Sequence, residues 1–190
     1  MMGWLGHLEL AAHGIVLQLA AMTFMVHMGL AQAGTVRVGK AFARQEWDAV
    51  SLTAKVSISL STVFAIIAMA CFLGIPNFLI GIFLGHQDPF SVDILRIGTL
   101  LLIFAALFQF VDGAQVIALS ILRGMQDTRS PMIIAAVSYW LIGLPVGYVL
   151  GFVYDFKEVG IWLGLVAGLL VAAVLLWVRF VILVRNYMTS

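Results

Sequence analysis

Asp112 is the residue whose type most needs explaining. It lies within FQFVDGAQVIALSILRG, residues 108–124, with apolar residues on both sides. A carboxylate at the centre of a bilayer costs at least about 2.5–3.5 kcal/mol, so it is expected to face protein or trapped water rather than lipid. Gln109 and Gln115 lie three residues to either side, which puts all three on roughly one face of a helix. Such a carboxyl group can take up a proton or Na⁺ in one state of a protein and release it in another. The plainer alternative is a carboxyl held by a hydrogen bond between helices.

Other groups carry weaker signals. Glu9, His13 and His27 share one helical face, with Glu9 and His13 one turn apart. A Glu-x-x-x-His pair is half of a metal site, and no second pair accompanies it, so no metal is expected. Glu9 reads as an interface residue. His13 is either a cavity-lining group or a packed helix contact, and His27 reads first as a structural position. Tyr139 and Trp140 are either members of an interfacial aromatic belt or an aromatic wall for cations. Cys71 lies in an apolar run and reads as a small buried hydrophobe. No hydroxyl is matched to a histidine and carboxylate as a nucleophile would require, and no glycine-rich phosphate loop follows a strand. Neither an enzyme nor a bound cofactor is expected.

The elements that must position these residues are apolar runs. A membrane-spanning helix needs about 20 mainly apolar residues, and five segments qualify, at about 8–34, 56–84, 97–122, 132–152 and 159–184. The expected connections are Arg37–Lys55, Gly85–Arg96, Arg123–Pro131 and Tyr154–Glu158, with Asp88-Pro89 as a turn dipeptide. Pro131 suits the first turn of a helix. Pro145 falls inside a span and predicts a kink. Gly143, Gly147 and Gly151 repeat every four residues, as do Gly160, Gly164 and Gly168. Such rows let helices approach closely in lipid, so the last two spans are expected to be antiparallel partners. A β-barrel predicts alternating polarity, which runs such as 161–178 lack.

Composition agrees. Of the 190 residues, 63% are hydrophobic and 10% are charged, against roughly 45–50% and 25% in soluble domains. A soluble enzyme and a disordered chain are both excluded by that balance. A net charge of +1 leaves no footprint for nucleic acid. No secretory signal peptide is expected, since residues 1–6 lack a basic region before a short apolar run. Eight of the 10 Lys and Arg residues, namely Arg37, Lys40, Arg44, Lys55, Arg123, Arg129, Arg179 and Arg185, fall on one side of an alternating five-helix path. Only Arg96 and Lys157 fall on the other. The positive-inside rule then predicts a cytoplasmic C-terminus and an external Met1. Arg37, Lys40 and Arg44 mainly set that topology and could also meet anionic headgroups.

Several blocks carry a resemblance. They are LELAAHGI (8–15), FMVHMGLAQAGTVRVGKAFAR (24–44), FQFVDGAQVIALSILRGMQDTRSP (108–131), YWLIGLPVGYVLG (139–151) and GIWLGLVAG (160–168). Together the chain resembles the multidrug and toxic compound extrusion (MATE) transporters, in their NorM-like bacterial branch. The blocks follow the family's order and spacing and cover nearly all of the sequence. One departure is His27, which stands where many members have the proline that would bend the span.

The resemblance implies an all-α integral membrane helix bundle. Residues 1–190 would correspond to a partial C-terminal lobe, helices eight to twelve of twelve plus the tail of helix seven, with the N-terminal lobe absent. It implies a multi-pass protein of the bacterial inner membrane that exports organic cations against inward Na⁺ or H⁺. Asp112 would hold the coupling ion or proton, Gln109 and Gln115 would orient it, and His13, Tyr139 and Trp140 would line the substrate cavity. The partners implied are the lipid bilayer, organic cations and a missing N-terminal lobe. Two other readings remain: a flippase or exporter of a lipid-linked or amphipathic metabolite, and a membrane assembly subunit that does not itself transport.

Overall fold

A computed structural model describes residues 1–84 and 91–189. His86 and the expected Asp88-Pro89 turn lie outside the described residues. After a short 3₁₀ turn at Met2–Trp4 come α1 (His7–Ala43), α2 (Trp47–Gly74) and the brief α3 (Pro76–Gly81). Then follow α4 (Ser91–Gly124), α5 (Arg129–Val137), α6 (Leu144–Tyr148) and α7 (Lys157–Thr189). Among the described residues there is no strand. Five helical segments are long and apolar enough to cross a membrane: His7–Ala43, Trp47–Gly74, Val92–Gly124, Arg129–Val153 and Lys157–Met188.

The helices overrun the apolar stretches. The first continues to Ala43, and only residues 44–46 separate it from α2, where a polar connection over Arg37–Lys55 was expected. At about 1.5 Å per residue, the 37 residues of α1 reach about 55 Å, well beyond a hydrocarbon core of about 30 Å. Arg37, Lys40 and Lys55 lie within the helices rather than between them. The turn between α1 and α2 and the turn between α4 and α5 are closed alike, by Gln45 (φ 59°) and Gln126 (φ 64°) in the left-handed region, a common way to stop a helix. In the second turn Asp127 accepts the N–H of Ser130 (3.3 Å) and the Nε–H of Arg179 on α7 (2.9 Å). Burial alone would raise the Asp127 carboxyl, but those hydrogen bonds and the guanidinium charge hold it below its ordinary range.

The fourth span is not one regular helix. Wider π-helical turns at Ser138–Gly143 and Val149–Val153 flank α6, and Pro145 stands at the start of α6. Proline offers no N–H to the carbonyl four residues before it, and a π turn absorbs that mismatch. This span rests on α7, and the glycine rows meet there. A Cβ at Gly168 would stand 2.9 Å from Gly143 Cα, and one at Gly164 would stand 2.8 Å from Gly143 O.

α4 is the central element, packed against α1, α2 and α7. Two apolar clusters form around it. One gathers Val38, Ile117, Ile121, Leu122 and Leu176; the other gathers Val16, Leu101, Leu102, Ile80 and Trp162. Cys71 is exposed on α2 rather than buried. It shares that outward surface with Leu60, Val63 and Ile67, so a residue shielded from water in a membrane need not be covered by protein.

Candidate functional site

Between the two apolar clusters lies a layer of buried polar side chains. His27 comes from α1, Ser57 and Ser61 from α2, and Gln109, Asp112 and Gln115 from α4. The site therefore sits at mid-helix on three spans, where water is scarce and each polar atom needs a partner.

On one side of α4 the layer is closed. His27 Nδ1 and Ser61 Oγ are 2.8 Å apart. The ring is wholly buried and packs edge-on against Phe64, with centroids 5.3 Å apart. Gly113 admits this pair, since a Cβ there would fall 2.6 Å from Ser61 Oγ and 2.8 Å from His27 Cε1. Gln109 lies beside His27 and donates its Nε2–H to Thr23 Oγ1 at 2.5 Å. The Thr23 hydroxyl in turn donates to Ala20 O at 2.8 Å. Two buried atoms are left over, His27 Nε2 and Gln109 Oε1. With Ser61 as donor to Nδ1, the ring's remaining N–H would be on Nε2, on the side where Gln109 lies. Sequence reasoning singled out Gln109 and His27 but missed Thr23 and Ser61. The available signal was Ser57 and Ser61 at i, i+4 in an apolar run, which marks one polar face on α2.

On the other side the layer opens into a cavity of about 350 Å³. Asp112, Gln115, Tyr139, Gln32 and Arg123 line it, with Phe24 and Met28 among its apolar walls. Gln115 Nε2–H donates to Tyr139 Oη, tying α4 to the fourth span. Asp112 is 7% exposed, and among the described residues no hydrogen bond or ion pair to its carboxyl is found. Tyr139 also borders a second, apolar cleft of about 500 Å³ together with Trp140, Phe108, Leu17 and Leu165.

Of the six residues singled out, the structure brings Asp112, Gln115 and Tyr139 to one cavity and places Trp140 in the neighbouring cleft. Gln109 turns away to His27 and Thr23. His13 joins neither lining; its ring packs edge-on against the buried Trp162, with centroids 5.7 Å apart. Among the described residues no cluster of three His, Cys, Asp or Glu residues is placed to hold a metal ion.

Comparison with known proteins gives a consistent result. The family model described as MatE matches residues 1–149. A "Probable multidrug resistance protein NorM" of Brucella suis is 42% identical over 180 residues, covering 95% of this chain and 38% of that protein. A protein of the same description from Agrobacterium fabrum is 40% identical over 190 residues, covering 100% of this chain and 41% of that one. The chain thus spans about two fifths of the length of these curated relatives. Among solved structures, a MATE in complex with MaL6 superposes with a TM-score of 0.86 at 14% identity, over 97% of this chain and 41% of that one. The eukaryotic MATE transporter AtDTX14 gives 0.81 at 17% identity, over 95% and 40%.

Proposed function

Since the chain belongs to the MatE family, we propose that it forms part of the C-terminal lobe of a secondary active exporter that expels organic cations in exchange for Na⁺ or H⁺. In this reading residues 1–190 supply one wall of the translocation path and a second lobe supplies the other. The transporter lies in a bacterial inner membrane with the C-terminus of α7 in the cytoplasm, as the positive-inside rule favours.

The observation that carries the proposal is Asp112. Its carboxyl is buried at mid-span, borders a cavity and has no cationic or hydrogen-bonding partner among the described residues. A purely structural carboxyl in that position would be expected to be tied to a neighbouring helix. A carboxyl that must exchange its occupant cannot be tied permanently. Gln115 and Tyr139 keep the cavity wall in place through their hydrogen bond. A proton or Na⁺ on Asp112 neutralises it and favours one arrangement of the lobes. Release on the other side of the membrane frees the negative charge for a cationic substrate. Rocking of one lobe against the other then carries the site from one face to the other.

The test is Asp112→Asn in the assembled transporter, at matched expression, with gradient-driven efflux and substrate binding measured separately. The amide keeps the shape and removes the exchangeable charge. Efflux is expected to collapse while the protein remains folded in the membrane and some drug binding persists. Efflux near the wild-type rate would make Asp112 a packing residue and remove the basis of the proposal.

A further inference from the structure

A third cavity lies away from the polar layer, in the groove between α2 and α7. Its volume is about 470 Å³. α2 and α7 touch little directly, and the groove is where they diverge. Its lining is ordered along its length. Ser51 and Lys55 on α2 and Arg185 on α7 stand at the end nearest the α1–α2 turn and the C-terminus. Ile58, Val181 and Trp177 continue it towards mid-membrane. From Arg185 to Trp177 is eight residues, about 12 Å at helical rise. The inner wall is fixed: Trp177 Nε1–H donates to Ala114 O at 3.0 Å, and its ring meets Phe180 edge-on with centroids 5.6 Å apart. Among the described residues no acidic side chain lines the groove.

We infer that this groove is a binding site for one anionic glycerophospholipid, drawn from the leaflet that the C-terminal end of α7 reaches. The phosphate would sit between Lys55 and Arg185, within reach of the Ser51 hydroxyl, and the first part of an acyl chain would lie against Ile58, Val181 and Trp177. The argument is one of complementarity in charge and length. Two cations stand at the interfacial end and none farther in, which is the polarity of a phospholipid and not of a soluble anion. Arg185 has five N–H donors and can serve a phosphate alongside the contacts it already makes. Near a bilayer surface each Lys or Arg adds attraction to anionic lipid. The apolar remainder opens to the outside of the described helices, where Val181 is 59% exposed, so a lipid could enter the groove by lateral diffusion. The site is independent of the transport proposal and requires only that α2 and α7 span a membrane.

The full chain is purified in mild detergent, reconstituted in nanodiscs of equal phosphatidylglycerol and phosphatidylcholine, and stripped stepwise with detergent. Lipid that remains bound is counted by native mass spectrometry. Wild-type protein is expected to retain one phosphatidylglycerol in at least fivefold preference to phosphatidylcholine. Lys55→Gln with Arg185→Gln is expected to abolish the preference. Lys40→Gln, a basic residue outside the groove, is expected to leave it unchanged. Ile58→Trp keeps both charges and fills the groove, so it is expected to lose the retained lipid as well and serves if the double variant does not fold. Equal retention of the two lipids by wild type, survival of the preference in both the double variant and Ile58→Trp, or full displacement of the lipid by millimolar inorganic phosphate would each overturn the inference.

Discussion

The seam between the fourth span and α7 makes an asymmetric prediction, although its two glycine rows look alike in sequence. Substituting alanine adds one Cβ at each position, and the structure shows what each would meet. At Gly147 the nearest atom is Gly164 Cα at 3.6 Å, ordinary van der Waals contact. At Gly164 the added atom would stand 2.8 Å from Gly143 O, with the Gly147 backbone nearer still. Those neighbours are main chain, so no rotamer change relieves them and the helices must part. Both variants gain the same helix-propensity advantage over glycine, about 0.5–1 kcal/mol. The difference between them therefore isolates overpacking, about 1–3 kcal/mol. Gly147→Ala is expected to be neutral or slightly stabilising, and Gly164→Ala to be destabilised by up to about 2.5 kcal/mol once its propensity gain is subtracted. Thermal unfolding of the purified variants, followed by tryptophan fluorescence in one detergent, measures the gap. Equal stability of the two variants, or a greater loss at Gly147, would refute the close packing argued here.

Three further outcomes are expected. His27→Leu strands Ser61 Oγ in the core and should cost about 0.6–2 kcal/mol, between the membrane average for a hydrogen bond and the soluble cost of an orphaned group, with His27→Gln recovering part of it; wild-type melting behaviour in the leucine variant would show that the His27–Ser61 bond adds no stability. The Asp127 carboxyl is held below its ordinary range, so its bond to Arg179 contributes above about pH 4 and is lost as pH falls through the lowered value. Asp127→Asn should then melt lower than wild type by about 0.2–1 kcal/mol at pH 7 and match it at the acid end, and a gap that widens on acidification would reverse the sign of the argument. Reporter fusions after Asp48 and at the C-terminus should read cytoplasmic and one after Asp155 external, whereas the opposite pattern would invert the proposed orientation.

The five-helix bundle was legible because hydrophobic runs of membrane length have no soluble counterpart, and the glycine rows announced the pairing of the last two spans. Helix ends were less legible. Charge reports where lipid stops, and α1 carries on through Arg37 and Lys40 to Ala43. The π turns around α6 were foreshadowed only by Pro145, whose effect depends on how the neighbouring backbone recovers its hydrogen bonds. Within the candidate site, Asp112 and Gln115 were visible as charge and amide in an apolar run. The partition of the polar layer was not, because Gln109 and Gln115 each stand three residues from Asp112, and that spacing cannot say that one amide turns to His27 and the other to Tyr139. His13 shows the same limit from the other direction: a polar residue on an apolar face, it found an aromatic neighbour in Trp162 rather than a cavity.

The dependence of the fourth span on α7 has a consequence for the order of assembly. α1, α2 and α4 are synthesised in sequence and pack directly on one another, so their polar layer can close while later residues are still being made. The fourth span leaves the ribosome before its neighbour exists. Until Gly160, Gly164 and Gly168 follow, Gly143 and Gly147 have no backbone to meet. The last two spans are thus expected to enter the fold as a hairpin, and a nascent chain interrupted within α7 would leave the Tyr139 wall of the Asp112 cavity with its bond to Gln115 but without α7 packed behind it.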